Sequence, residues 1–213
     1  MFQPKTIAIS LVALALAGCA NGAEFDETGG IKSVRSSCPA VAIPVNTGDV
    51  TLFNPPTSRD SRAIDVVATI TNLRNTCAEQ GDRIVADATF EIQARRSDTS
   101  GAREVVLPYF ATVTRGGTQI VSKQISRVVL RFADGEARAT AAGGGNANIA
   151  MSAATLPPEI EQQIRRKRKP EDADASIDPL ADPAVRAAVR QSSFELLIGF
   201  QLTQDQLAYN ATR

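Results

Sequence analysis

The feature that most constrains the fold of this chain is an alternation of apolar and polar residues with a period of two. The clearest case runs from Arg83 to Arg96, where one set of alternate positions is apolar throughout. That set consists of Ile84, Ala86, Ala88, Phe90, Ile92 and Ala94. Because successive side chains of a strand point to opposite faces, the pattern predicts a half-buried antiparallel strand.

Similar segments recur along the chain and are separated by residues that favour turns. Ser97–Gly101, Gly116-Gly117 and Asp134-Gly135 supply these turns, and the last is the strongest hairpin signal in the sequence. The alternation predicts seven strands: Val50–Phe53, Arg62–Asn72, Arg83–Arg96, Glu104–Thr114, one strand made of Gln119–Lys123 and Ser126–Phe132, then Glu136–Thr140 and Ser193–Thr203.

Strands joined by turns, without a regular alternation of strands and helices, predict an all-β fold. We expect an antiparallel β-sandwich of immunoglobulin or fibronectin type III style, with a small closed barrel as the alternative. The chain has no tryptophan, so the buried Trp that packs on the disulfide of antibody domains is missing. The expectation therefore concerns the architecture and not the immunoglobulin family.

A long excursion, residues 141–192, precedes the last strand. The run Gly143-Gly144-Gly145-Asn146 predicts flexible chain, and Pro158 at a first helical turn predicts a helix that stops before Pro170. Asp182 predicts the cap of a second helix, Pro183–Gln191. After the last strand, Thr203 and Gln206 have the spacing of a capping box, which predicts a final short helix.

The N-terminus has the composition of a cleaved signal. One cation, Lys5, precedes the apolar run Thr6–Ala17, which is too short for the ~20 residues of a bilayer-spanning helix. The run ends in Leu16-Ala17-Gly18-Cys19, which resembles the lipobox of bacterial lipoprotein precursors. An ordinary signal peptide that is cut elsewhere is the alternative.

The resemblance implies cleavage before Cys19 and a lipid on that residue, which would attach the protein to a membrane. Ala20 in the following position implies the outer membrane, on its periplasmic side. We therefore expect a signal peptide over residues 1–18, a flexible tether over 19–37 and a β-sandwich domain over 38–213.

The two remaining cysteines, Cys38 and Cys77, form an even pair in an oxidising compartment, so we predict a disulfide between them. Closing a loop of about 40 residues stabilises a fold by roughly 4 kcal/mol in the chain-entropy treatment. The alternative, a redox-active pair, usually has the spacing Cys-x-x-Cys. The observed spacing favours a structural disulfide.

The composition argues against most catalytic chemistry. The chain has no histidine, the commonest general base and metal ligand, and no glycine-rich phosphate-binding motif. Lys and Arg number 23, as do Asp and Glu, which gives no overall attraction to nucleic acid. We expect no enzyme, no cofactor, no metal and no nucleic-acid partner.

Two places remain as candidate contacts. Five consecutive cations suit anionic lipid headgroups, glycan carboxylates or an acidic partner: Arg165, Arg166, Lys167, Arg168 and Lys169. The acidic residues that follow them, Glu171, Asp172, Asp174, Asp178 and Asp182, can instead neutralise the cluster in solution. These acidic residues lack the glycine turn and ligand order of a known calcium loop.

Phe110 is the second candidate contact. Pro108 cannot donate to a ladder, so it predicts that its strand lies at a sheet edge or is bulged there. With Tyr109 in the core, Phe110 would face outward as a partner contact, or else be covered by the excursion. The stretch from Leu107 to Lys123, with Phe200–Thr203, is similar to uncharacterised alphaproteobacterial envelope lipoproteins.

The sequence thus predicts a lipid-anchored periplasmic module that interacts with an envelope protein or has a structural role there. A lipoprotein that binds a small solute at one end of the sandwich is the alternative. An enzyme without histidine is a third possibility, and it would need carboxylates that converge in a cleft.

Overall fold

The computed structural model describes residues 36–166, 168–173 and 176–212, and 49% of them lie in strands. The strands are β1 Ala40–Ala42, β2 Asp49–Phe53, β3 Ile64–Gln80, β4 Arg83–Arg96, β5 Arg103–Arg115, β6 Gln119–Phe132, β7 Arg138–Ala150 and β8 Phe194–Phe200. The α-helices are α1 Met151–Ala154, α2 Pro158–Arg165, α3 Pro183–Gln191 and α4 Gln204–Thr212.

The strands form two four-stranded sheets. The order is β1-β8-β5-β6 in the first sheet and β2-β3-β4-β7 in the second. Neighbouring strands are antiparallel, except that β1 runs parallel to β8. The two sheets together form a curled half-barrel. The prediction of a mostly β, antiparallel fold with few helices is confirmed.

The core lies between the two sheets and is built by the alternation that the sequence displays. In β4 every second residue from Ile84 onward is buried, and β8 buries Leu196, Ile198 and Phe200 from the other sheet. Each sheet buries one face of its strands, as expected for two packed β layers. The predicted bounds of β4 are those of the structure.

One charged side chain is also buried at the end of β4. Arg96 is only 2% exposed, and its guanidinium stacks on Phe132 at 5.2 Å from the ring centroid. It donates hydrogen bonds of 2.8 Å to the carbonyl oxygens of Thr99, Gly101, Ala133 and Glu136. These carbonyls belong to the β4–β5 and β6–β7 connections, so Arg96 joins the two crossovers between the sheets.

The prediction that β7 ends at Thr140 and gives way to flexible glycines is wrong. β7 continues to Ala150, and Gly143 to Gly145 pair with β4. A Cβ atom on Gly143 would lie 2.4 Å from Phe90 Cζ, and one on Gly145 would lie 2.5 Å from Ala111 Cβ. These glycines are therefore strand residues that leave room for the core.

The Asp134-Gly135 turn does not close a hairpin, contrary to the sequence prediction. The turn is present, with Gly135 at φ 76°, but β6 and β7 lie in different sheets. Arg96 binds the carbonyl oxygens on both sides of this turn. The turn therefore carries the chain around a corner of the half-barrel.

The second strand of the second sheet is longer than predicted. β3 continues to Gln80 beyond an irregularity between Thr71 and Arg74, where Asn72 adopts φ 52°. The extension pairs with the start of β4 and is largely exposed, so its residues show no apolar alternation. This two-stranded ribbon carries Cys77.

Disulfide and helix predictions are confirmed. Cys38 and Cys77 are bonded, with 6.1 Å between their Cα atoms, and the bond links the chain before β1 to β3 of the other sheet. The bounds of α3 are as predicted, and Asp182 accepts a hydrogen bond from the Ala184 amide. Thr203 and Gln206 exchange the two hydrogen bonds of a capping box at the start of α4.

Candidate functional site

The most unusual surface of the described protein is the outer edge of the first sheet. β6 occupies this edge, and every residue from Gln119 to Arg127 is exposed. Three of them are large and aliphatic: Ile120 is 64% exposed, Val121 54% and Ile125 61%. Native proteins usually shield such edges because unpaired strand backbone invites pairing with another chain.

The register with β5 shows why this half of β6 is uncovered. The β5 residues Tyr109, Ala111 and Val113 are buried and face the core. Their partners on β6 are Ser126, Gln124 and Ser122, which are polar and exposed. From Val128 onward the same face of β6 is buried. On this face of β6 the buried core therefore begins at Val128.

The opposite face of this half-strand carries a mixed row of side chains. Thr112 pairs with Lys123, Phe110 with Ile125 and Pro108 with Arg127. Because cross-strand partners share a face, Lys123, Ile125 and Arg127 lie in one row on the outer side of the sheet. We refer to these three residues as the outer row.

Phe110, a predicted contact residue, lies on this outer face but is half-buried. The Lys123 ammonium is 5.3 Å from the centroid of its ring, within the range of a cation–π interaction. On the other side, a Cβ atom on Gly199 of β8 would lie 2.7 Å from Phe110 Cζ. The Phe110 ring therefore packs between Gly199 of β8 and the Lys123 side chain.

Pro108 does not place β5 at an edge along its whole length. β5 pairs with β6 throughout, and with β8 from Tyr109 onward. Pro108 lies just outside the β8 ladder, where its carbonyl accepts a hydrogen bond of 2.9 Å from the Gln201 amide. The bulge of the β5–β6 ladder lies elsewhere, between Val113 and Thr114. A proline is tolerated at this position because the ladder with β8 stops there.

The basic cluster lies at the end of α2 and in the segment after it. Arg165 forms an ion pair of 2.9 Å with Glu161, and Arg166 one of 3.8 Å with Asp172. The Asp172 carboxylate also accepts from the Lys169 amide at 3.0 Å. These contacts favour the interpretation that the charges of this segment compensate one another. Cys19 and Lys167 lie outside the described residues.

A second candidate site is a cleft of about 410 Å³ between β2, the loop after it and α4. Its lining includes Phe53 and Tyr209, whose rings meet edge to face at 5.1 Å, and Arg59, which lies over Phe53 at 5.3 Å. Asp65 and Arg103, also in the lining, are joined by two hydrogen bonds of 2.6 and 2.7 Å. The bond to Asp65 raises the pKa of Arg103 above its ordinary value.

Local sequence patterns predict neither the open edge nor the cleft. The cleft joins residues from distant parts of the chain, so no local pattern marks it. The edge does leave a signal: on the inward face of β6, Ser122, Gln124 and Ser126 precede Val128 and Leu130. This change from polar to apolar marks the point where the core begins.

The described residues hold no evident metal site and no membrane-spanning helix. Among them, no group of three or more His, Cys, Asp or Glu side chains is placed to hold a metal ion. No helix in the same part of the chain is long and apolar enough to cross a membrane. Comparisons with known protein families, curated proteins and solved structures find no match to this chain.

Proposed function

We propose that this protein is a lipid-anchored periplasmic module of the cell envelope that binds another envelope protein, or has a structural role there, without catalysis. The resemblance of Leu16-Ala17-Gly18-Cys19 to a lipobox supports anchoring through Cys19, with the outer membrane as the expected location. The open edge of β6 is the observation that carries the interaction role.

An uncovered strand edge with exposed aliphatic residues supports binding because a partner strand would satisfy the free backbone groups and cover the side chains. Ile125 is the best placed of them, since the ladder of β6 with β5 is regular on both sides of it. Partner recognition at Phe110 itself has less support, because Lys123 already lies over the ring.

For the architecture, we propose a sandwich of immunoglobulin or fibronectin type III style with a connectivity of its own. Two facing sheets around one core support this class. In immunoglobulin domains the second and third strands belong to different sheets. Here the consecutive strands β2, β3 and β4 lie side by side in one sheet. The proposal is therefore limited to the arrangement of layers.

The proposed function is tested by photo-crosslinking in cells that produce the full chain. A photoreactive amino acid at Ile125 should give a reproducible adduct with one envelope protein. The same amino acid at Gln93, an exposed residue of β4 on the other sheet, serves as the control. If no specific adduct forms from Ile125 or from other exposed positions, the interaction role is wrong.

The anchor has its own test. Cys19→Ser removes the thiol that would carry the lipid, so the protein should move from the membrane fraction to the soluble fraction. Ala23→Ser, close to Cys19 but outside the lipobox, is the matched control, and it should leave the fractionation unchanged. Retention of the Cys19→Ser protein in the membrane would contradict the anchor.

The cleft supports a second candidate function, the binding of a small solute. Its walls combine aromatic rings with paired charges, as ligand pockets commonly do. Native mass spectrometry of the protein purified from its envelope should then show a small molecule that copurifies. Tyr209→Ala should release this molecule, whereas Ile125→Ala on the edge of β6 should not.

A further inference from the structure

We propose that the edge of β6 binds an extended peptide segment in which two acidic residues flank an apolar residue at alternate positions. The segment would add to the first sheet as a fifth strand, next to β6. This inference rests on the proposed interaction function and names the chemistry of the partner.

The backbone of β6 is suited to accept a strand. From Ser122 to Phe132 its ladder with β5 is uninterrupted. In an antiparallel ladder alternate residues direct their N–H and C=O groups to one neighbour, so the others point to the free side. Within Ser122–Arg127 these free groups lie beside exposed side chains on both faces.

The side chains of the outer row select the partner. Lys123 and Arg127 flank Ile125 at alternate positions, which gives the order cation, aliphatic, cation. Within the described residues neither cation forms an ion pair with a carboxylate. Residues directly opposite one another on neighbouring strands interact, and opposite charges stabilise the pair. The complementary row is therefore acidic, apolar, acidic.

On the other face of the same half-strand, the exposed side chains carry no charge that could select a partner. Ser122, Gln124 and Ser126 are uncharged and exposed. They can form hydrogen bonds with many polar side chains. Specificity for the partner is therefore placed on the outer row.

A second copy of this chain fits the edge poorly. Within the regular part of the ladder, Ser122–Phe132, two antiparallel β6 strands bring their exposed aliphatic residues together when Ile125 lies opposite Ile125 of the copy. This register places Lys123 opposite Arg127 of the copy. Like charges directly opposite one another are destabilising. The occupant is thus an acidic segment of a different protein.

The test uses the full lipidated chain in detergent micelles and two synthetic peptides. One has the sequence Thr-Glu-Thr-Ile-Thr-Glu-Thr, and the other has lysine in place of glutamate. The acidic peptide should bind about tenfold more tightly, as measured by fluorescence anisotropy. This advantage should shrink as salt is added, because exposed charges are screened. Equal affinity of the two peptides would overturn the inference.

Charge reversal provides a second readout. In the Lys123→Glu/Arg127→Glu variant the preference should switch to the lysine peptide. Arg95 and Arg138 are an exposed cross-strand pair on the other sheet, so Arg95→Glu/Arg138→Glu is the matched control and should retain the preference for glutamate. If the first variant fails to fold, the salt dependence on the natural chain still decides the question.

Strand addition is separated from simple charge attraction by N-methylation of the acidic peptide. Methyl groups on one set of alternate amides should abolish binding, and methyl groups on the other set should have little effect. Equal tolerance of both sets would overturn strand addition. Sedimentation showing a dimer that dissociates on Ile125→Glu would overturn the choice of partner.

Failure of this inference can be told apart from failure of the proposed function. If a cellular partner is crosslinked equally well by the natural chain and by Lys123→Glu/Arg127→Glu, the interaction role stands and the assignment to an acidic strand is wrong. If no cellular partner is found, the interaction role is wrong, whatever the peptides show.

Discussion

At the scale of single residues, Arg96 is a charged side chain that is almost completely buried and makes four hydrogen bonds. A guanidinium presents five N–H donors in a fixed plane, and four bonds from Arg96 reach carbonyl oxygens of two connections. Such a charge is tolerated inside a protein because each of its three nitrogens donates at least one hydrogen bond to a carbonyl oxygen. It organises the end of the molecule where β4 passes to β5 and β6 passes to β7.

We predict that Arg96→Lys destabilises the protein by about 3 kcal/mol, because an ammonium group cannot reach all four carbonyls and leaves buried acceptors unpaired. Urea unfolding followed by circular dichroism measures the free energy of unfolding. Arg95→Lys is the control, since Arg95 is the exposed neighbour on the same strand, and it should change stability by less than about 0.5 kcal/mol. A similar small effect at Arg96 would contradict this role.

At the scale of elements, the disulfide crosslinks the two sheets. Cys38 precedes β1 of the first sheet, and Cys77 lies in the β3 extension of the second. The residues of this extension are largely exposed, so it gains little from the core. Its attachment therefore depends on its ladder with β4 and on the covalent bond.

We predict that Cys38→Ser/Cys77→Ser lowers the free energy of unfolding by about 4 kcal/mol, because the unfolded chain regains the entropy of an open loop. The residues are 39 positions apart. Unfolding of the natural protein with and without a reductant should give the same difference. A loss below about 1 kcal/mol would show that the unfolded chain is already restricted in this region.

Local sequence patterns specified some elements and missed others, for identifiable reasons. β4 and α3 have the predicted bounds because the first has unbroken alternation and the second begins at Asp182 and Pro183. The run of glycines in β7 predicted flexible chain, because the local sequence does not show that these residues leave space for Phe90, which is distant in sequence. β1 has only three residues and no alternation to detect.

The candidate site was predictable only in part. The order Tyr109 inward and Phe110 outward follows from alternation, and the structure confirms that Tyr109 is buried. The cover of Phe110 by Lys123 depends on strand pairing, which no local pattern gives. The open edge depends on which strands have a neighbour on both sides, and that is a property of the whole sheet.

At the scale of the whole molecule, the response to pH follows from the titratable groups. The chain has no histidine, the side chain that ordinarily titrates between pH 5 and 8. Among the residues that the structure describes, three aspartates have a pKa below the ordinary value. The causes are a side-chain hydrogen bond from Arg62 for Asp60, a side-chain hydrogen bond from Ser100 for Asp98, and a backbone hydrogen bond from Ala184 for Asp182.

We predict a free energy of unfolding that is nearly constant from about pH 5 to 8 and falls below about pH 4. The lowered pKa values mean that these carboxylates stabilise the fold above their unfolded pKa, and that this contribution disappears as the pH falls through their folded pKa. Thermal unfolding across this range measures the effect. Asp98→Asn should make the acid slope shallower, and a steep change near pH 6.5 would contradict the prediction.

The position of Cys38 also determines how the protein responds to a mechanical pull. Tension applied at Ser36 reaches Cys38 before it reaches β1, and the disulfide passes the load to β3, which pairs with β4 at that point. Without the bond, the same pull would act first on the three-residue edge strand β1 and its ladder with β8. The covalent link therefore transfers a pull on the preceding chain to β3, a long strand that pairs with β2 and β4.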